Sequence, residues 1–257
     1  MNILVLGDVV GEIGCEFLRK KLPALKKLKG IDFCIANGEN SSTGNGITPY
    51  SADYLFSSGV DFITTGNHVF RRKEVFELLD ESEFIIRPMN FHPSCPGVGY
   101  RIVDLGFTSI GILNLSGAMY LDKCACPFET ADKAIEEMKK QTDIILVDFH
   151  AEATSEKKAL GFYLDGRVSA LFGTHTHVQT SDATILKGGT GYITDLGMCG
   201  VIDSVLGVDK KIVIDKFRFG MPVRFDGATG DCMLNGCIFT IDEKSGRCIS
   251  AEAIDLR

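Results

Sequence analysis

An excess of positive charge is the first thing this sequence lacks. Its 257 residues carry 27 Lys and Arg against 34 Asp and Glu, a formal net charge of −7. Bulk attraction to nucleic acid or to an anionic membrane is excluded, and stable contact of either kind would need a local basic patch. The one dense basic run, LRKKLPALKKLKG at 18–30, spaces its cations among leucines at helical intervals and reads as a solvated helix face. Also missing is any apolar run near the roughly 20 residues that a bilayer span needs. No charged-then-apolar leader precedes NILVLGD, so the expectation is a cytoplasmic protein without membrane contact. Paired cysteines are lacking as well. Nine are scattered along the chain, and only Cys124 and Cys126 stand close, with no second pair or histidine beside them. That argues for free thiols over a disulfide framework, and against structural zinc.

What is present is alternation. NILVLGD (2–8), IDFCIAN (31–37), VDFITTGN (60–67) and SEFIIRP (82–88) read as strands. Helical patterns separate the first of them, over about 14–29, 48–59 and 71–82, with Thr48 as cap and Pro49 in the first turn. Such βαβ units predict a largely parallel core sheet. YRIVDL and TSIGILNLSG then look like a hairpin, and TDIILVDFH (142–150) and RVSALFGTH (167–175) are further strands. From about 183 the pattern changes to strand-like runs joined by Gly turns, KKIVIDKF among them, which predicts antiparallel pairing closing a second sheet. With no repeat and no linker, residues 1–257 are expected to form a single domain.

The informative residues sit at the strand exits: Gly7-Asp8, Gly38-Glu39-Asn40, Gly66-Asn67-His68, Asp148-Phe149-His150 and Gly173-Thr174-His175-Thr176-His177. Four of the five histidines are there. In a parallel sheet the carboxyl ends share one edge, so these groups should converge. An extended His175-x-His177 would put both imidazoles on one side. Each motif alone is commonly an ordinary turn or cap, whereas five exits with ligand-capable side chains predict a metal site. Imidazole, carboxylate and amide oxygen without thiolate favour iron, manganese or zinc. The candidates are too many for one tetrahedral ion, and two ions roughly 3.5–4 Å apart sharing a carboxylate would use them all. Such a pair would clamp a phosphate ester and activate water, leaving a histidine to protonate the leaving oxygen.

LGD (6–8), GEN (38–40), GNH (66–68), FH (149–150) and GTHTH (173–177) resemble the ordered motifs of calcineurin-like metallophosphoesterases. HAEATSEK (150–157), GTHTHVQTSD (173–182) and YITDLGMCG (192–200) resemble one branch more closely, the YmdB-like phosphodiesterases, and the similarity runs from Met1 to Arg257. The resemblance implies an α/β fold, a four-layer αββα sandwich of two mixed sheets. It implies that Asp8 and His177 bind a first metal, that Glu39 bridges, and that Asn67, His150 and His175 bind a second, with His68 as proton donor. It implies hydrolysis of 2′,3′-cyclic nucleotides and other small phosphodiesters; the ligand set itself, with fewer imidazoles and more oxygens, favours iron, with manganese or zinc the alternatives.

The sequence departs from the wider superfamily where Asp-x-His is usual, because Val10 stands two residues after Asp8. Asn40 is the residue placed to replace the missing ligand with an amide oxygen. Two rival enzymes, a phosphomonoesterase and a nuclease, could use the same residues, though a nuclease needs a basic groove. A regulatory metal-binding protein with little turnover has no need of His68 beside its ligands. A dinucleotide-binding loop in GDVVGEIG is a poor fit, since Gly7, Gly11 and Gly14 miss the G-x-G-x-x-G spacing. Arg71, Arg72 and Lys73 read as a solvated turn or as a phosphate contact, His92 reads as an ordinary loop residue, and a homo-oligomer is left open.

Overall fold

The computed structural model describes residues 1–257. β1 (Asn2–Val9) is buried from Leu4 onward and also at Ile3, as an unbroken apolar run requires of a central strand. α1 (Gly11–Lys29), β2 (Phe33–Asn37), α2 (Pro49–Ser57) and β3 (Phe62–Thr64) follow as parallel crossovers. α2 starts as its sequence predicts, because Thr48 Oγ1 accepts from the Ser51 N–H while Ser51 Oγ accepts from the Thr48 N–H. A short 3-10 turn at Val69–Arg71 leads into α3 (Val75–Glu81).

A second sheet then begins with the expected hairpin, β4 (Tyr100–Asp104) and β5 (Ser109–Ser116). α4 (Pro127–Met138), β6 (Ile144–His150), α5 (Thr154–Tyr163) and β7 (Ala170–Thr174) continue it in parallel, and β8 (Thr184–Ile185) and β9 (Gly191–Ile193) give the order β4-β5-β6-β7-β9-β8. The chain returns to the first sheet through β10 (Met198–Val201), parallel to β1. After α6 (Lys210–Phe219), the hairpin β11 (Cys232–Ile241) and β12 (Cys248–Leu256) completes the order β12-β11-β10-β1-β2-β3.

Alternation along the strands divides the core. Ile3, Val5 and Ile35 meet Ile110, Leu146 and Phe172 between the sheets. Leu4, Leu6 and Ala36 face Leu18, Leu22 and Leu55 on one outside, and Leu113, Ile145 and Val147 face Ala134 and Leu160 on the other. Helices, sheet, sheet and helices make the expected four-layer αββα sandwich, with both sheets mixed.

The C-terminal third differs from expectation. Its long hairpin extends the first sheet and does not close the second, since β11 lies antiparallel to β1 from Asn2↔Thr240 to Leu6↔Gly236. KKIVIDKF is helical, not a strand: the Asp209 side chain accepts from the Lys211 and Ile212 N–H groups, and Gly220 caps the other end at φ 65°. SEFIIRP contributes one parallel bridge, Ile63↔Ile85, before Arg87 and Pro88 carry the chain away. No helix is long and apolar enough to cross a membrane.

Candidate metal centre

The strand exits lie on two sheets rather than one, and the site forms where those sheets meet. Asp8 reaches it through a bulge. Pairing shifts from Leu6↔Ala36 to Asp8↔Asn37, so Asp8 leaves the helix side it would share with Leu4 and Leu6, and Val9 takes its place in that outer core. A Cβ on Gly7 would stand 2.1 Å from the Gly197 carbonyl oxygen, which confines the bulge to glycine. Gly66 serves a similar purpose at the exit of β3, where a Cβ would come within 2.2 Å of the His150 ring. The expected extended His175-x-His177 does not occur. β7 ends at Thr174, and His175 (φ 97°) and His177 (φ 62°) are both left-handed. Two hydrogen bonds hold that turn: Asp8 Oδ2 accepts from the His175 N–H at 3.0 Å, and Leu206 O lies 3.2 Å from His177 Nδ1.

Glu39, His150 and His175 form the tight part of the site, with one ligand atom of each within 4.8 Å of the others. His150 Nε2 lies 3.1 Å from Glu39 Oε1, 3.1 Å from His175 Nδ1 and 2.9 Å from Asn67 Oδ1. The far nitrogens are already engaged. His150 Nδ1 donates to Thr174 Oγ1 (2.9 Å), whose own proton goes to Asp148 Oδ1 (2.7 Å), and His175 Nε2 donates to Glu152 Oε2 (3.0 Å). His175 Nδ1, Asn67 Oδ1 and Glu39 Oε1 are therefore acceptors gathered around His150 Nε2, the one position among them that can carry a proton. A cation satisfies all four atoms at once, so the donor set fits a metal ion.

A second set adjoins the first through Glu39. His177 Nδ1 faces Leu206 O, and its Nε2 lies 3.5 Å from Asp8 Oδ1. The Asn40 amide nitrogen lies between them, 3.4 Å from Asp8 Oδ1, 3.4 Å from Glu39 Oε1 and 3.3 Å from His177 Nε2. Its oxygen, expected to face this cluster, pairs with His68 Nδ1 at 2.9 Å. A half-turn of the amide would exchange the two. Val10 is turned away, packed where a Cβ on Gly207 would lie 2.4 Å from Val10 Cγ1. His68 is held by its backbone N–H, which donates to Glu39 Oε2 at 2.8 Å.

The charges follow from burial and proximity. Asp8 and Glu39 are fully buried, which by itself raises a carboxyl, yet the neighbouring His177 and His150 hold both below their ordinary values. Burial pulls His150 down, but Glu39 outweighs it and carries His150 to about 9. His175 is pushed down to about 4 by burial and by His150, and burial lowers His68 against the pull of Glu39. Both carboxylates thus stay ionised, and the site keeps a proton on His150 that a cation would displace.

Three residues support the set from behind, and of these the sequence reading missed only Lys157. Asp148, raised to about 6 by burial, accepts from the Thr64 and Thr174 hydroxyls and so fixes the His150 ring. Lys157 Nζ donates to Thr174 O (2.8 Å) and to Asp195 Oδ2 (2.6 Å), and the same oxygen accepts from the Thr176 N–H (3.2 Å). Lysine in a helix pattern reads as solvated, and only the packing of α5 over β7 buries it. Both partners of this pair are 1% exposed. Lys157→Met leaves Asp195 buried and unpaired at the root of the His175–His177 turn, and is expected to lower unfolding stability by about 3–5 kcal/mol; urea denaturation measures it. Arg72 is committed to the 41–46 loop through Thr43 O and Asn45 O, and His92 Nδ1 accepts from the Ser94 N–H as an ordinary loop contact.

Similarity to known proteins extends over essentially the whole chain. The chain is 44% identical over 254 residues, 99% of its length and 96% of the relative's, to a protein of Bacillus subtilis (strain 168) named 2′,3′-cyclic-nucleotide 2′-phosphodiesterase. A crystal structure of a novel phosphatase from Mycoplasma pneumoniae superposes with a TM-score of 0.94 at 35% identity, covering 100% of this chain and 93% of that one. A hypothetical protein from Thermus thermophilus does so with a TM-score of 0.93 at 39% identity, covering 99% and 98%. Residues 4–254 match the family described as YmdB-like protein, and the chain belongs to that family.

Proposed function

We propose that the chain hydrolyses 2′,3′-cyclic nucleotides, and small phosphodiesters of that kind, at a pair of transition-metal ions. The phosphoesterase class rests on the family and on the name of the Bacillus subtilis relative. The observation that carries the chemistry is the ring of acceptor atoms around His150 Nε2 at the junction of the two sheets. Glu39, Asn67, His150 and His175 would hold one ion; Asp8, Asn40, His177 and the shared Glu39 would hold the other, with Asn40 turned to present its oxygen. When bound, such ions neutralise phosphate charge and supply an activated water for in-line attack. Oxygen-rich ligation of this kind favours iron, with manganese or zinc able to substitute.

The remaining work falls to the protein. Glu152, Thr174 and Asp148 orient the imidazoles, so the ligand nitrogens are aimed before substrate arrives. His68 Nδ1 is tied to Asn40, which leaves Nε2 to deliver a proton to the departing ribose oxygen. Metal analysis paired with a substrate panel tests this reading. About two ions per chain are expected, with 2′,3′-cAMP turned over faster than a p-nitrophenyl monoester. A fully folded protein that takes up no metal, or one that prefers the monoester, overturns it.

A further inference from the structure

α5 turns three residues inward, and one of them is charged: Lys157 is buried with Leu160 and Gly161. Its stem passes over β7 at Gly173, where a Cβ would lie 3.0 Å from Lys157 Cδ. A buried ion pair seldom repays its desolvation by mutual attraction alone, so the other bonds made by Lys157 and Asp195 decide their role. Those bonds go to backbone beside the metal centre. Asp195 Oδ2 accepts from the Thr176 N–H, between His175 and His177, and Oδ1 accepts from the Gly197 N–H at 2.9 Å. Gly197 O in turn accepts from the Asp8 N–H at 3.2 Å. One carboxylate thereby fixes the chain on both sides of the Asp8–His177 pair. Both sides are left-handed, His177 at φ 62° and Gly197 at φ 85°, a region that histidine seldom adopts unaided. The other ligand set has supports of its own: His150 rests on Thr174 and Asp148, and the His175 ring on Glu152.

We infer, on the two-ion reading above, that Asp195 is the positioning residue for the ion at Asp8, Asn40 and His177, with Lys157 as its counterion. The pair sets how tightly that ion is held and leaves the ion at His150 to its own supports. A pair kept for stability alone could be exchanged for apolar side chains of similar volume without loss. Apolar side chains cannot accept from the Thr176 and Gly197 N–H groups, so the exchange separates the two roles. Lys157→Met with Asp195→Leu leaves no unpaired charge and should unfold at higher urea than Lys157→Met alone. It should not regain the ion.

Dialysis of the metal-loaded full chain against Mn²⁺ buffered at graded free concentrations tests the inference. Bound ions are counted, and electron paramagnetic resonance reads whether they are coupled. The wild type should keep about two coupled ions per chain. The double variant should lose one of them at a free Mn²⁺ concentration on the order of 10-fold or more higher. What remains should be the signal of an isolated ion, matching Asp8→Asn, which loses a ligand directly. Asp195→Asn keeps the volume and one acceptor oxygen; it should shift less in the same direction, which covers the case of a double variant that misfolds. Lys158→Met breaks only the surface pair with Asp182 on the same helix and should change nothing. A double variant that holds both ions as tightly as the wild type overturns the inference. So does one that loses both together, the mark of a merely structural pair. A wild type with fewer than two ions overturns the two-ion reading itself, and the role of Asp195 with it.

Discussion

Glu39→Gln is expected to empty the site of both metal ions and to lower turnover by roughly 10³-fold or more, since metal activation of water and charge neutralisation go together. The reason is position. Glu39 is fully buried, and its Oε1 lies 3.1 Å from His150 Nε2 of one set and 3.4 Å from the Asn40 amide nitrogen of the other, while its Oε2 takes the His68 N–H at 2.8 Å, so one side chain adjoins both sets. Glutamine keeps the volume and can still accept from His68 through its amide oxygen. What it removes is the negative charge, and with it one of the two carboxylates that make a cation welcome in a buried cavity. The variant should therefore fold, and two measurements separate metal loss from unfolding. Metal analysis after purification reads the ion content. Thermal melts with and without added Mn²⁺ read linkage: metal at 100 times its dissociation constant should stabilise the wild type by about 2.7 kcal/mol and leave the variant unmoved. A variant that keeps both ions would show that Glu39 is not shared.

Residue type and order were legible in the sequence, and backbone conformation was not. Strand exits announce themselves through apolar runs ending in glycine and a polar residue, so Asp8, Glu39, Asn40, Asn67, His68, His150, His175 and His177 could be named together. How they converge could not be read. Asp8 points inward only because the Gly7 bulge reverses its face, and a bulge leaves no mark on the alternation of so short a strand. His175 and His177 converge through positive φ values that non-glycine residues seldom adopt, so extended geometry was the natural and mistaken expectation. The β-branched run of KKIVIDKF suits a strand by propensity, and the Asp209 and Gly220 caps that make it a helix lie just outside it. Lys157 and Asp195 are thirty-eight positions apart, and only the packing of α5 against the return of the chain joins them.

The hairpin β11–β12 shows the same limit at the level of topology. Alternation and Gly turns identify two antiparallel strands, yet nothing local says which sheet accepts them. β1 does so because its N-terminal half has a free edge: β10 pairs only with Asp8 and Val9, which leaves Asn2–Leu6 for β11. That arrangement bears on function. With β10 and β11 sharing one edge of β1 and β2 on the other, the strand that delivers Asp8 is paired along both edges, and the segment between β10 and β11 is left to project beside His177.

His68→Ala is expected to keep the metals and to lose turnover on 2′,3′-cAMP by roughly 10²–10⁴-fold, the scale of general-acid loss. The side chain touches Asn40 Oδ1 at 2.9 Å and Glu39 Oε1 at 3.4 Å, while its bond to Glu39 Oε2 comes from the backbone and survives the substitution. Burial lowers the His68 pKa, which makes the imidazolium a stronger acid when it forms. A ribose hydroxyl is a poor leaving group and needs that proton, whereas p-nitrophenolate leaves well without one. The loss should accordingly be large for 2′,3′-cAMP and much smaller for bis-p-nitrophenyl phosphate. A residue that merely positioned Asn40 or the ions would depress both substrates alike. Equal losses, or a loss accompanied by fewer metal ions per chain, would move His68 from proton transfer to support of the site; a difference of more than about tenfold between the two leaving groups, at unchanged metal content, fixes it as the acid.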